Sequence, residues 1–156
     1  MIEIERKFLV QSSDYKVQAF KQTVIIQGFL NTHKERTVRV RLKGDKGFLT
    51  VKGQSTNDGV SRFEWEKEIS KTDAESLLQL CEPGIISKVR FEVKVGQHIF
   101  EIDEFSGDNE GLVVAEIELS SENETFEKPD WLGDEVTGDI RYYNSQLSSY
   151  PYRQWS

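Results

Sequence analysis

The sequence predicts a mainly β fold of the α+β kind, with about eight antiparallel strands and a few helices, and three observations lead there. Apolar and polar residues alternate with period two along most of the chain, as half-buried strands require. Short turns bearing Gly, Asp and Asn separate the alternating runs, so sequential runs pair antiparallel. Helical periodicity is confined to brief segments.

In chain order, residues 2–10 alternate and form the first strand. Residues 13–22 read as a helix and 23–30 as a further strand. Residues 36–43 and 47–52 alternate on either side of the turn Gly44-Asp45-Lys46-Gly47, and a longer turn over 53–59 leads into strand 61–69. Thr72-Asp73-Ala74-Glu75 has the form of a capping box, in which hydroxyl and carboxylate each reach a free backbone N–H. Ala74, Leu77, Leu78 and Cys81 make the apolar face of that helix, and Pro83-Gly84 ends it. Strands 87–95 and 98–105 flank the tight turn Gly96-Gln97, and a turn over 107–111 precedes strand 112–119. A turn of helix is expected over 129–132 and a last helix over 139–147.

With 156 residues, 37% hydrophobic and 11% aromatic, the chain can bury a core and is read as one domain, 1–156. The formal net charge of −7 argues against long nucleic acids and anionic membranes as partners. One cysteine, Cys81, excludes an internal disulfide and a Cys-rich zinc site. The start Met-Ile-Glu-Ile-Glu-Arg-Lys lacks the form of a signal peptide, and no apolar run reaches the ~20 residues of a membrane span, so the expected location is the cytoplasm.

The two faces of each strand differ. One carries Ile2, Ile4, Phe8, Val38, Val40, Leu42, Phe63, Trp65, Val89, Phe91, Val93, Phe100, Ile102, Ala115 and Ile117. The other carries charge sorted by sign: Glu3, Glu5 and Lys7; Arg39 and Arg41; Glu64 and Glu66; Lys88 and Arg90; Glu101 and Asp103; Glu116 and Glu118, with Lys52 and Arg62 on the charged faces of their strands. A solvated polar face is one reading, since like charges ~7 Å apart repel by only ~0.6 kcal/mol in water. A solvated face mixes signs, however, and arginine suits bidentate phosphate contact. The second reading is a barrel closed with its charged face inward and its apolar face covered by helices; about eight strands can enclose one small ligand. Its acidic wall would hold hard divalent cations and its basic wall a polyphosphate.

These residues resemble the CYTH domain family of triphosphate tunnel metalloenzymes. The resemblance rests on Glu3-x-Glu5-x-Lys7, Arg39-x-Arg41, Lys52 in Leu-Thr-Val-Lys-Gly, Glu64-x-Glu66, Lys88-x-Arg90, Glu101-x-Asp103, Ala115-Glu116-Ile117-Glu118-Leu119, and Glu135-Val136-Thr137 followed by Asp139, Arg141, Tyr142 and Asn144. It implies a closed eight-stranded antiparallel β-barrel that binds a linear triphosphate with Mg²⁺ or Mn²⁺ and hydrolyses it. It implies a metal site of Glu3, Glu5, Glu101, Asp103, Glu116 and Glu118, and phosphate contacts from Lys7, Arg39, Arg41, Lys52, Arg62, Lys88, Arg90 and Arg141. Lys7, Glu64, Glu66 and Asp103 are the expected catalytic and water-orienting groups. Short bacterial members commonly carry Tyr where Phe29 stands, so Lys7 is expected to lack one orienting hydrogen bond. Inorganic tripolyphosphate or another small triphosphate is the expected substrate. A cyclase making cyclic AMP from ATP and a non-catalytic binder of phosphorylated ligands are the alternatives, and a homodimer is left open.

His33 and His98 are read as surface residues, Cys81 and Trp65 as packing residues, and Tyr142 or Tyr143 as lining the tunnel mouth or packing a helix. The charged set assigned to the tunnel holds eight acids and eight bases, so −7 describes the outside and does not oppose a polyphosphate carried in with metal.

Overall fold

A computed structural model describes residues 1–155. Eight strands, β1 (Ile2–Val10), β2 (Lys21–Asn31), β3 (Arg36–Lys43), β4 (Lys46–Gly53), β5 (Ser61–Ile69), β6 (Ile86–Val95), β7 (His98–Phe105) and β8 (Val113–Glu118), follow the order β5-β4-β3-β2-β6-β7-β8-β1. β1 pairs with β8 through Glu5–Leu9 and with β5 through Ile2–Ile4, which closes the barrel. Every pairing is antiparallel, and the closed-barrel reading of the charged faces holds.

A short ninth strand, β9 (Leu132–Glu135), was not expected. It pairs with β1 at Phe8 and Val10, along the edge that β5 leaves free. The expected turn over 129–132 does form, with the Leu132 N–H donating to the Pro129 carbonyl at 3.0 Å, and the chain then runs straight into β9. Leu-Gly-Asp-Glu carries no strand pattern. Gly133 fits because a Cβ there would lie 3.0 Å from the Leu9 carbonyl oxygen.

The helices are shorter than expected. α1 covers only Tyr15–Gln18, because β2 begins at Lys21, paired with Glu92 of β6, and leaves no room for a helix to residue 22. α2 (Lys71–Leu78) is capped by Ser70 rather than Thr72: the Asp73 N–H donates to the Ser70 hydroxyl at 3.0 Å. The segment expected as one helix over 139–147 splits into a 3-10 turn, Ile140–Tyr142, and α3 (Asn144–Leu147), because Tyr143 is extended at φ −70° and ψ 134°.

The main core lies outside the barrel wall, where Phe8, Phe91, Val93, Phe100, Ile102, Ala115 and Ile117 meet Tyr15 of α1 and Trp131. The Trp131 ring stands edge-on to Phe100, 5.4 Å between centroids, and its N–H reaches Gln18 at 3.1 Å. α2 covers part of the outer face over β3 and β4, where Val40 and Ala74 are fully buried, but the outer face of β1 and β5 is partly bare. Ile2 is 65% exposed, Phe63 46% and Trp65 40%, so Trp65 is not the core residue its phase suggested. The three helices among the described residues, of at most eight residues each, leave part of the eight-stranded wall uncovered.

Candidate active site

Because side chains alternate across a strand, every second residue of the barrel points inward. The inward set encloses a cavity of about 280 Å³. Of the residues expected at the site, Glu3, Glu5, Lys7, Arg39, Arg41, Lys52, Arg62, Glu64, Glu66, Lys88, Arg90, Glu101, Glu116 and Glu118 line it.

Strand order sorts these charges into two halves. β4, β3, β2 and β6 are consecutive and contribute Lys52, Arg39, Arg41, Lys43, Lys88 and Arg90, with the uncharged Phe29 between them. β7, β8, β1 and β5 complete the circle and contribute Glu101, Glu116, Glu118, Glu3, Glu5, Glu64 and Glu66, with only Lys7 and Arg62 of opposite sign.

The halves are stitched at their two seams. At the β4/β5 seam Lys52 pairs with Glu64 at 3.3 Å and reaches Glu3 at 3.0 Å, while Arg39 and Arg41 both approach Glu66 at 3.5 Å. At the β6/β7 seam Arg90 pairs with Glu101 at 3.2 Å and Asp103 at 2.8 Å, and Lys88 pairs with Asp103 at 2.8 Å.

Away from the seams Lys7 and Arg62 donate to the Tyr142 and Gly53 carbonyls, and the acids go without ion pairs. Among the described residues Glu5, Glu116 and Glu118 form no ion pair. Burial and then the nearby charges of Glu116 and Glu3 push the Glu5 carboxyl well above the carboxylate range. Burial and then Glu3 and Glu101 raise Glu118 as well. In the basic half, burial and the Arg39 and Arg90 charges lower Arg41 to about 9. Burial also lowers Lys88 to about 8 against the pull of Asp103. The Nε groups of Arg39 and Arg41 are buried with no hydrogen-bond acceptor. The acidic half therefore favours a cation and the basic half an anion.

Two expected site residues stand elsewhere. Asp103 is 1% exposed and lies behind the lining. Its Oδ1 accepts from Arg90 Nε at 2.8 Å; its Oδ2 accepts from Arg90 Nη2 at 3.0 Å and Lys88 Nζ at 2.8 Å. Both oxygens are committed, which suits a positioning role rather than a metal ligand or catalytic acid. Arg141 is outside the cavity, donating to Asp139 at 2.8 Å and lying over the Tyr142 and Trp155 rings.

Several lining residues were not assigned from sequence. Lys43 continues the alternation of Arg39 and Arg41, so its phase was readable. Thr37, Gly59, Val60, Thr137, Gly138, Asn144 and Ser145 also line the cavity. Most come from two segments, the β4–β5 loop and residues 137–145, which meet at Gly59 and Gly138; a Cβ on Gly59 would lie 2.3 Å from the Gly138 Cα. Of the two tyrosines, Tyr143 lines the cavity and Tyr142 packs into a second apolar cluster with Phe29, Ile86 and Leu147. Lys7 is oriented without a hydroxyl at position 29: its Nζ donates to the Tyr142 carbonyl at 3.2 Å and sits 5.2 Å from the Tyr143 ring centre.

Comparison with known proteins agrees with this geometry. The CYTH domain model matches residues 1–147. An inorganic triphosphatase of Acetivibrio thermocellus is 50% identical over 154 residues, covering 98% of this chain and 97% of the relative. An inorganic triphosphatase of Nitrosomonas europaea is 38% identical over 154 residues, covering 95% and 97%. A solved structure described as an inorganic triphosphatase superposes with a TM-score of 0.64 at 33% identity, covering 94% of this chain and 97% of its own. A Hippeastrum protein described as a putative adenylyl cyclase with a dominant triphosphatase activity shares the fold at 15% identity and a TM-score of 0.61.

Proposed function

The chain belongs to the CYTH domain family, and from that premise we propose that it hydrolyses a small triphosphate, inorganic tripolyphosphate first among them, inside the barrel and releases orthophosphate. The observation that carries this reading is the division of one cavity into a cationic half with orphaned Arg39 and Arg41 donors and an anionic half with unpaired Glu5, Glu116 and Glu118. A linear triphosphate and a divalent cation would neutralise both halves together.

Members of this family depend on a metal ion in general, and we read Mg²⁺ or Mn²⁺ as the one used here. Among the described residues no three acids already form a closed metal cage. The donor chemistry nevertheless fits: Glu5, Glu116 and Glu118 are crowded carboxylates that form no ion pair among the described residues, with Glu3 and Glu101 beside them; Lys7 and Arg90 keep Glu116 ionised against its burial, and hard cations take carboxylate oxygens. A cation held there supplies charge neutralisation for the phosphoryl oxygens.

The chain's own residues do the rest. Arg39, Arg41, Lys52, Arg62, Lys88 and Arg90 bind phosphate oxygens and hold the phosphorus in line for attack. Lys7 sits between the acidic rim and Tyr143 and contacts the phosphoryl group under attack. Glu64 and Glu66 face the cavity from the acidic side and orient the attacking water. Asp103 acts at one remove by fixing Lys88 and Arg90. We also read residues 1–156 as one domain working in the cytoplasm; no described helix is long and apolar enough to cross a membrane.

The test is a panel of tripolyphosphate, ATP, GTP, thiamine triphosphate and pyrophosphate with Mg²⁺ or Mn²⁺, products identified. Orthophosphate from tripolyphosphate, abolished by a chelator, is expected. Cyclic AMP and pyrophosphate from ATP, or binding without turnover, would overturn the reading.

A further inference from the structure

We propose that Asn144 is a substrate-binding residue: its side-chain amide donates to a phosphoryl oxygen of tripolyphosphate, so the segment 137–145 supplies part of the substrate site. This rests on the triphosphatase reading above.

Asn144 belongs to the segment 137–145 and lines the cavity beside Thr137, Gly138, Tyr143 and Ser145. Its Oδ1 accepts two hydrogen bonds, from Lys88 Nζ at 3.0 Å and Gln27 Nε2 at 2.9 Å. An ammonium can only donate. Lys88 therefore dictates which way the Asn144 amide faces, and Asn144 in turn dictates the orientation of Gln27. The Gln27 Oε1 atom, in a residue with no exposure, is left without a partner by this arrangement. The chain tolerates that orphan and keeps Asn144 in one orientation.

With Oδ1 doubly committed, the Nδ2 group is the free end of the side chain, and no hydrogen bond ties it to the described residues. It is a neutral donor beside the Lys88 ammonium on the cationic side of the cavity. A phosphate oxygen held by Lys88 is within reach of an amide whose own oxygen already grips that ammonium. The two donors then form a fork on one phosphoryl group, as a bidentate contact does.

The experiment is calorimetric titration of the metal-free full chain with tripolyphosphate, using wild type, Asn144→Ala and Asn144→Asp. In parallel, NMR follows the wild-type Asn144 side-chain amide, assigned through bonds. Asn144→Ala is expected to bind about tenfold more weakly, the effect of losing one hydrogen bond to a charged group. Asn144→Asp keeps the acceptor for Lys88 and Gln27 but loses the donor, and is expected to bind more weakly still. The wild-type amide protons are expected to shift and exchange more slowly with water at saturation. Binding by either variant equal to wild type, or an amide whose exchange ignores the ligand, overturns the assignment. The NMR readout holds even where a variant fails to fold. Wild type that binds no tripolyphosphate overturns the triphosphatase reading as well, whereas wild type that binds beside indifferent variants overturns only the role of Asn144.

Discussion

Replacing Asp103 by Asn separates a buried structural charge from a metal ligand. Asp103 accepts three hydrogen bonds, at 2.8, 3.0 and 2.8 Å, from two cations that are themselves 2% and 5% exposed. Asparagine keeps the shape but loses the charge, and it turns one oxygen into an NH₂ that faces donors. Lys88 and Arg90 are then left next to each other with only the more distant charges of Glu101 and Glu116 to offset them. Removing one partner of a buried ion pair costs about 3–5 kcal/mol. For a chain of this size that is a fall in Tm of roughly 6–20 °C. Burial opposes ionisation of Asp103, but Arg90 and Lys88 outweigh it and hold the carboxyl below its ordinary value. A depressed carboxyl stabilises the fold above its unfolded pKa of about 3.9 and loses that contribution as pH falls through the folded value. The difference between wild type and Asp103→Asn should therefore be constant from neutral pH to about pH 5 and shrink only under stronger acid. Thermal unfolding of both proteins without metal over that pH range is the assay. An unchanged Tm accompanied by a large rise in the metal concentration needed for activity would refute the reasoning and return Asp103 to the metal site.

Glu116→Gln combined with Glu118→Gln should raise the half-saturating metal concentration at least about tenfold; normal metal dependence would sink the ligand assignment. Arg41→Met should raise KM for tripolyphosphate about tenfold or more without lowering Tm, since burial and the neighbouring Arg39 and Arg90 already disfavour this charge in the empty barrel; an unchanged KM removes it from the site. Phe29→Tyr should leave kcat unchanged, as Lys7 is already oriented by the Tyr142 carbonyl, and a clear gain in kcat would show that the hydroxyl is missed. Gly59→Ala should destabilise the fold by at least about 1 kcal/mol, read by chemical denaturation, because Gly59 holds φ +77° and abuts Gly138; equal stability would show that the loop contact relaxes freely.

Strand positions and inward residues were readable because period-two alternation is a local property of each strand. Arg39, Arg41, Glu64, Glu66, Glu116 and Glu118 fall inward on phase alone. What escaped was non-local or weakly patterned. β9 is four residues with no alternation, and it exists because β1 has a free edge beside Phe8 and Val10. Thr137 and Asn144 matched the family pattern, but no periodicity in their segment showed that they, with Gly138, reach the cavity. Trp65 was misplaced because an apolar phase says which face a residue is on and not whether another element covers that face.

By itself, then, the order of residues along each strand determined the two faces and the sign of charge at each inward position, since a strand's side chains must alternate. Which charges face one another was decided only by tertiary structure. The pairing order puts β2 between β3 and β6 and joins β1 to both β5 and β8, and it is this order that gathers the bases into one half and the acids into the other. Strand pairing joins residues far apart in the chain. The same order separates Asp103 from the carboxylates it resembles in sequence, because its cross-strand partner is Arg90, and a buried carboxylate beside a guanidinium is satisfied by it.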